Sequence, residues 1–181
     1  MTGRYRGSKL YTVPGQGTRP TSDFNREVIF SKYPDYKDLR VLDLFAGTGS
    51  FGLECLSRGA EWVDFVEFAN QAIAVLLLNI AKLNCSDQCH IHRRRVEQYL
   101  AKADHLYDVI FLDPPYDKGL VEKCLDLIFA GDMLKPEGIV IVEHSAKERI
   151  PDRWLPRLID TRAGKITSFS IFGSAETGPD Q

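Results

Sequence analysis

Arg40-Val41-Leu42-Asp43-Leu44-Phe45-Ala46-Gly47-Thr48-Gly49 decides how this chain folds. Residues 40–44 are a short apolar run that stops at a glycine-containing turn, the pattern of a buried strand. Glycines placed directly after a strand let the backbone turn tightly, approach a ligand and open a helix. Residues 51–57 then read as that helix, stopped by Gly59.

The same alternation continues outward. Residues 62–67 read as a second strand, and Ile73, Leu76, Leu77, Ile80 and Leu83 recur at the three- and four-residue steps of an amphipathic helix. Residues 90–92 form a weak strand and 96–103 a short helix. Residues 108–112 form a strongly apolar strand, 120–129 a helix with Leu120, Val121, Cys124, Leu125 and Ile128 inward, and 138–143 another buried strand. Residues 158–159 and 166–172 alternate as an antiparallel pair. Repeated βα units predict an α/β fold, a mostly parallel sheet with helices on both faces and an antiparallel C-terminal strand. Ligands of such sheets lie beyond the carboxyl ends of the strands, which directs attention to the residues after Leu44, Val66, Leu112 and Val142.

Three segments follow: a basic N-terminal arm over 1–20, one domain over 21–173 and a disordered tail over 174–181. After the arm, Thr21 or Ser22 would cap a helix running from about Asp23 to Lys32. The formal net charge is −2, so the whole chain does not resemble a nucleic-acid binder. The distribution differs: residues 1–20 carry Arg4, Arg6, Lys9 and Arg19 and no acid, and Arg93-Arg94-Arg95 forms a second basic knot. Local basic patches hold phosphates even on an acidic protein. No run of about 18 apolar residues predicts a membrane span, and the N-terminal residues lack the apolar stretch of a secretory signal. Four cysteines are too few for a disulfide framework, so reduced thiols in a cytoplasm are expected.

Gly47-Thr48-Gly49-Ser50-Phe51-Gly52 matches the dinucleotide pattern G-x-G-x-x-G. Asp43 argues against a dinucleotide, because a carboxylate there repels pyrophosphate and attracts an ammonium or sulfonium cation. S-adenosylmethionine carries both. Glu67 can accept ribose hydroxyls, a role it would equally fill for a nicotinamide cofactor. The plainer readings are a helix or turn cap for Asp43 and a solvated strand end for Glu67.

Asp113-Pro114-Pro115-Tyr116 directly follows the most apolar strand. Two prolines stiffen the turn and remove two amide donors. The Asp113 carboxylate and Pro114 carbonyl can accept both hydrogens of a base amine, and Tyr116 can stack on the base. An unpaired or extruded base would be required.

The pairing of these two motifs resembles that of class I amino-methyltransferases with a Rossmann-like, seven-stranded sheet. The chain more closely resembles the RsmD family, through Arg6-Gly7-Ser8-Lys9-Leu10, Arg19-Pro20-Thr21-Ser22-Asp23, Arg26-Glu27-Val28-Ile29-Phe30 and Val142-Glu143. That resemblance implies methylation of guanine N2 in small-subunit (16S) ribosomal RNA, with S-adenosylmethionine as the methyl donor. It implies that Asp43, Phe45, Gly47 and Gly49 line the methionine part, that Glu67 holds the ribose, and that Phe68 or Val96 flanks the adenine. It implies that Asp113, Pro114, Pro115 and Tyr116 hold the base, and that Arg4, Arg6, Lys9 and Arg19 grip RNA, either free or within an assembled small-subunit particle. Relatives commonly carry Asp before the residue matching Val96; this chain has Arg95, which offers only donors.

Other readings remain open at this point: an adenine-N6 methyltransferase on DNA or RNA, a protein-glutamine methyltransferase, an NAD-dependent oxidoreductase using Gly47 to Gly52, or a noncatalytic RNA-binding module. Cys85, Cys89, His90 and His92 invite a zinc reading, but the first ends a helix and the two histidines share one face of a strand, so no metal is expected. Cys55 and Cys124 read as core, and His144 falls after a core strand where it could touch substrate. A monomer is expected.

Overall fold

The computed structural model describes residues 1–14, 28–33, 35–116 and 118–175. Its seven strands follow the order β3-β2-β1-β4-β5-β7-β6. Contacts divide the chain into two compact units, Met1–Arg94 and Arg95–Gln181.

The first unit holds β1 (Arg40–Leu44), α1 (Ser50–Ser57), β2 (Trp62–Glu67), α2 (Asn70–Leu83) and β3 (Cys89–Arg93). β2 pairs in parallel with both β1 and β3, with Leu44 opposite Val66 and Glu67 opposite Arg93. Val41, Leu42, Leu44, Val63, Phe65 and Val66 are fully buried, as expected of strands covered on both faces. Residues 28–32 are helical, and Ile29 and Phe30 are buried with Phe30 stacked on Phe51. The expected cap at Thr21 or Ser22 and the start of that helix lie outside the described residues.

α2 departs from its expected inner face in one respect. Ile73, Leu76, Ile80 and Leu83 are buried, but Leu77 is 52% exposed and Asn79 takes the inward place beside Ile80 at 0%. An apolar residue at the stripe's margin needs no burial; the inward asparagine has backbone partners, described below.

The second unit holds α3 (Val96–Leu100), β4 (Tyr107–Leu112), α4 (Leu120–Ala130), β5 (Leu134–Ser145), β6 (Leu158–Arg162) and β7 (Thr167–Gly173). β4 and β5 run parallel. β7 is antiparallel to both β5 and β6, as its alternating pattern predicts. β5 is longer than its apolar run because tertiary pairing extends it at both ends: Leu134 pairs with Tyr107 before an irregularity, and Ser145 pairs with Thr167. α3 stops short of Ala103, and Leu120 is only half-buried while Val121, Cys124, Leu125 and Ile128 are buried. No helix among the described residues is long and apolar enough to cross a membrane.

Gly52 sets how closely α1 approaches β2. A Cβ there would lie 2.4 Å from Phe65 Cε1 and 2.7 Å from Val63 Cγ1, both on buried rings or branches with nowhere to retreat. Gly52→Ala is therefore expected to cost about 1–3 kcal/mol by overpacking. Thermal unfolding would read this as a fall of several degrees in Tm; an unchanged Tm would mean that α1 is not held this close to β2.

Candidate active site

In the first unit the chain leaves β1 through a left-handed turn, with φ of 59° at Phe45, 56° at Gly47 and 81° at Gly49. Glycine adopts this region freely, whereas a bulky residue such as Phe45 is strained by roughly 1–3 kcal/mol and needs its surroundings to hold it. The Ala46 N–H donates to the Val66 carbonyl at 3.1 Å, and the Gly49 N–H to the Ala46 carbonyl at 2.8 Å. A side chain at Gly49 would strike Leu76 Cδ1 at 2.3 Å, so packing as well as φ requires glycine there. At Gly47 the nearest atom to an added Cβ is the Phe45 carbonyl at 4.0 Å, which leaves open space along the backbone.

Asp43 is buried, and its Oδ2 accepts the Gly52 N–H at 2.9 Å. Gly49, in the N-cap position of α1, has no side chain to serve the helix amides, and the carboxylate on β1 serves one of them instead. The capping role of Asp43 is thus real. Glu67 is not a solvated strand end. It is 8% exposed, and its Oε2 accepts the Gly47 N–H at 2.9 Å while Oε1 accepts the Phe68 and Ala69 N–H groups at 2.8 Å each. Phe68 itself is 54% exposed.

Sequence patterning gave no sign of Asn79. Its Nδ2 donates to the Thr48 carbonyl at 3.0 Å and the Tyr11 carbonyl at 3.1 Å, and its Oδ1 accepts the Tyr11 N–H at 2.7 Å. One buried side chain therefore ties the N-terminal segment to the glycine turn. That segment is docked elsewhere too. Glu54 accepts from the Thr2 N–H at 3.2 Å and from the Thr2 hydroxyl, the Tyr5 N–H donates to Ser57 Oγ at 2.9 Å, and Lys82 Nζ donates to the Lys9 carbonyl at 2.8 Å. Arg4, Arg6 and Lys9 are exposed on it, with Arg4 hydrogen-bonded to Gln88 and lying over the Tyr5 ring. Arg19 lies outside the described residues.

In the second unit, Asp113-Pro114-Pro115-Tyr116 follows β4 without an intervening residue. Pro114 is buried, Pro115 exposed, and Asp113 and Tyr116 half-buried. The Tyr116 hydroxyl lies 3.1 Å from Thr167 Oγ1 and donates to Glu143 Oε1 at 3.5 Å. Val96, the first residue of α3, is buried, and Arg95 caps that helix without a side-chain hydrogen bond to it.

His144 is withdrawn from solvent. It is buried between the Ser145 carbonyl and Ser170 Oγ, each at 2.9 Å, and burial pushes its pKa down, so it stays neutral. The neutral tautomer donates from Nδ1 to the carbonyl and accepts at Nε2 from the serine. His90 and His92 do share a strand face, with ring centroids 4.6 Å apart, but His92 is paired with Asp64 at 2.9 Å. Cys89 donates to the Cys85 carbonyl at 3.4 Å. No group of three metal-ligating side chains occurs among the described residues. Cys55 and Cys124 are core.

A seven-stranded sheet in which an antiparallel β7 lies between β5 and β6 is the Rossmann-like sheet of class I methyltransferases. The family model described as "Conserved hypothetical protein 95" matches residues 1–171, and the chain belongs to that family, the RsmD family of the resemblance above. It is 32% identical to the ribosomal RNA small subunit methyltransferase D of Haemophilus influenzae, over 95% of this chain and 91% of that one. It is 32% identical to the protein of the same name from Escherichia coli K12, over 82% and 75%. The solved structure of Escherichia coli yhhF is similar at a TM-score of 0.83 and 30% identity, covering 96% of this chain and 95% of that one.

Removing the Asn79 amide would strand the Tyr11 N–H and the Tyr11 and Thr48 carbonyls. Each of these part-buried bonds contributes about 0.5–1.5 kcal/mol. Asn79→Ala is expected to lower Tm and to make the bonds within residues 1–14 susceptible to limited proteolysis, with new N-termini found by mass spectrometry. A segment that stays as protected as in the wild type would show that Asn79 does not anchor it.

Proposed function

We propose that the chain transfers a methyl group from S-adenosylmethionine to the exocyclic N2 of a guanine in small-subunit (16S) ribosomal RNA. The observation that carries this reading is the Asp113-Pro114-Pro115-Tyr116 turn placed directly on the end of β4 with its tyrosine tied down. The family and its named relatives support ribosomal RNA as the substrate class.

Bound at the glycine turn, S-adenosylmethionine supplies a methyl group already activated by a sulfonium cation. The residues fit such a molecule. Gly47 leaves room beside its backbone, and Asp43 provides negative charge without exposing it to water. Glu67 already accepts three amide hydrogens, and a carboxylate offers about four acceptor directions. It can thus take one ribose hydroxyl as it stands; a second requires the release of an amide. Phe68 and Val96 would flank the adenine. Arg95 offers no acceptor, so the adenine amine is left to backbone carbonyls.

At the acceptor side, the Asp113 carboxylate and Pro114 carbonyl take the two amine hydrogens, which turns the nitrogen lone pair toward the donor. Asp113 also stabilises the positive charge that develops on that nitrogen as the bond forms. Tyr116 holds the base by stacking, and Pro115 keeps the turn rigid. The reaction requires donor and amine to meet in line, so positioning is the main work of the protein. Arg4, Arg6, Lys9 and Arg19 would hold RNA phosphates. The same reading takes the protein as a cytoplasmic monomer acting on free RNA or on an assembled small subunit.

Radiolabelled methyl transfer to RNA from cells lacking the gene, followed by nucleoside analysis, tests the reading. N2-methylguanosine is the expected product, while N6-methyladenosine or labelled protein would replace it with another. Asp113→Ala is expected to lower kcat by about a hundredfold or more while sparing donor affinity; full activity would remove Asp113 from the mechanism. Asp43→Asn keeps an acceptor for Gly52 but loses the charge. It should retain most of the stability that Asp43→Ala loses, yet bind the donor as weakly as Ala does. Wild-type affinity in the Asn variant, measured by calorimetry, would leave Asp43 as a helix cap alone.

A further inference from the structure

β5 and β7 pair with Glu143 opposite Phe169 and Ser145 opposite Thr167. Glu143 and Thr167 are therefore diagonal neighbours on one face of the pair, close enough for one side chain to span both. Both are buried, at 2% and 6% exposure, where an unsatisfied carboxylate or hydroxyl would be costly. The Tyr116 phenol reaches both, at 3.1 Å to Thr167 Oγ1 and 3.5 Å to Glu143 Oε1. With the Tyr116 hydroxyl donating to Glu143, its oxygen is left to accept from the Thr167 hydroxyl, and one directed chain joins all three. The turn that carries Tyr116 lacks amide hydrogens at Pro114 and Pro115, so this side-chain tie takes a share of fixing the turn that backbone bonds cannot.

We propose that Thr167 and Glu143 are positioning residues for methyl transfer: by holding the Tyr116 phenol they fix the plane of the ring against which the acceptor base lies. This rests on the reading of Asp113 to Tyr116 as the base-holding turn. It gives the antiparallel strand β7 a part in the reaction, although no residue of β7 touches substrate in this scheme. A ring free to rotate would still attract a base, but over a spread of orientations, few of which present the amine in line. The tie therefore acts on kcat and leaves the methyl donor's binding alone.

Thr167→Val preserves shape and removes only the hydroxyl. It is expected to lower kcat on RNA by about ten- to a hundredfold, with donor affinity unchanged, and Thr167→Ser is expected to restore most of the rate. Tyr116→Phe should lose a similar factor, and the double variant Thr167→Val/Tyr116→Phe should be no slower than either single one. A Thr167→Val enzyme with wild-type kcat, or losses that multiply in the double variant, would overturn the proposal. The ring can also be followed without turnover, by NMR of ring-labelled tyrosine in the free protein. Thr167→Val should speed flipping of the Tyr116 ring, and an unchanged flip rate would equally refute the positioning role. A wild-type protein that methylates no RNA would sink the functional reading instead, and the ring measurement would still decide whether Thr167 holds Tyr116.

Discussion

A carboxylate buried at the end of β2 holds the turn that ends β1. Glu67 accepts the Gly47 N–H on one oxygen and the Phe68 and Ala69 N–H groups on the other, so it fixes both the glycine turn and the entry to α2. Its neighbours complete the restraint, each from a different element. The Val66 carbonyl takes the Ala46 N–H, Asn79 on α2 donates to the Thr48 carbonyl, and Asp43 on β1 receives the Gly52 N–H. The segment is thereby held at Ala46, Gly47, Thr48 and Gly52, which allows Phe45 to remain in a left-handed conformation that a bulky side chain disfavours. Ligand binding to such a turn need not order it first, and less affinity is lost to freezing the loop.

Strands buried on both faces were legible because burial itself writes the pattern. β1 and β2 begin and end where their apolar runs do. β5 was only partly legible: Pro136 and the left-handed Glu137 break its run, and the pairing of Leu134 with Tyr107 that extends it is a tertiary event. The α2 periodicity identified the helix and four of its inward residues but placed Leu77 inward and overlooked Asn79. Hydropathy ranks leucine above asparagine at any position. It carries no information about which backbone groups are waiting for a donor.

The same limit applies to the site. Motif chemistry singled out Asp43, Gly47, Gly49, Glu67 and Asp113 to Tyr116 as candidates, because glycine, proline and carboxylate restrict backbone and charge in ways visible in one dimension. It did not reveal what supports them. Glu54 and Ser57, which receive the N-terminal segment, lie on an apolar helix and look incidental until Thr2 and Tyr5 are seen against them. Asp43 had two readings in the sequence, a cap and a partner for a cation, and the hydrogen bond from the Gly52 N–H establishes the first.

β7 shows why a polar strand can be buried. All seven of its residues, Thr167–Gly173, are buried, although three carry hydroxyls. Each hydroxyl has a partner: Thr167 on Tyr116, Ser168 with the Gly164 N–H, and Ser170 on His144. With His144 neutral, its Nδ1 donates to the Ser145 carbonyl and its Nε2 accepts from Ser170. Burial, by pushing the imidazole pKa down, supplies that state. The two faces of the β5–β7 pair then have separate tasks. One carries a satisfied His–Ser pair that lets the strand be buried without loss, and the other presents Thr167 and Glu143 to the Tyr116 phenol. An apolar β7 would bury as much surface and pair equally well, but it would leave the Tyr116 phenol with nothing on that strand to hold it.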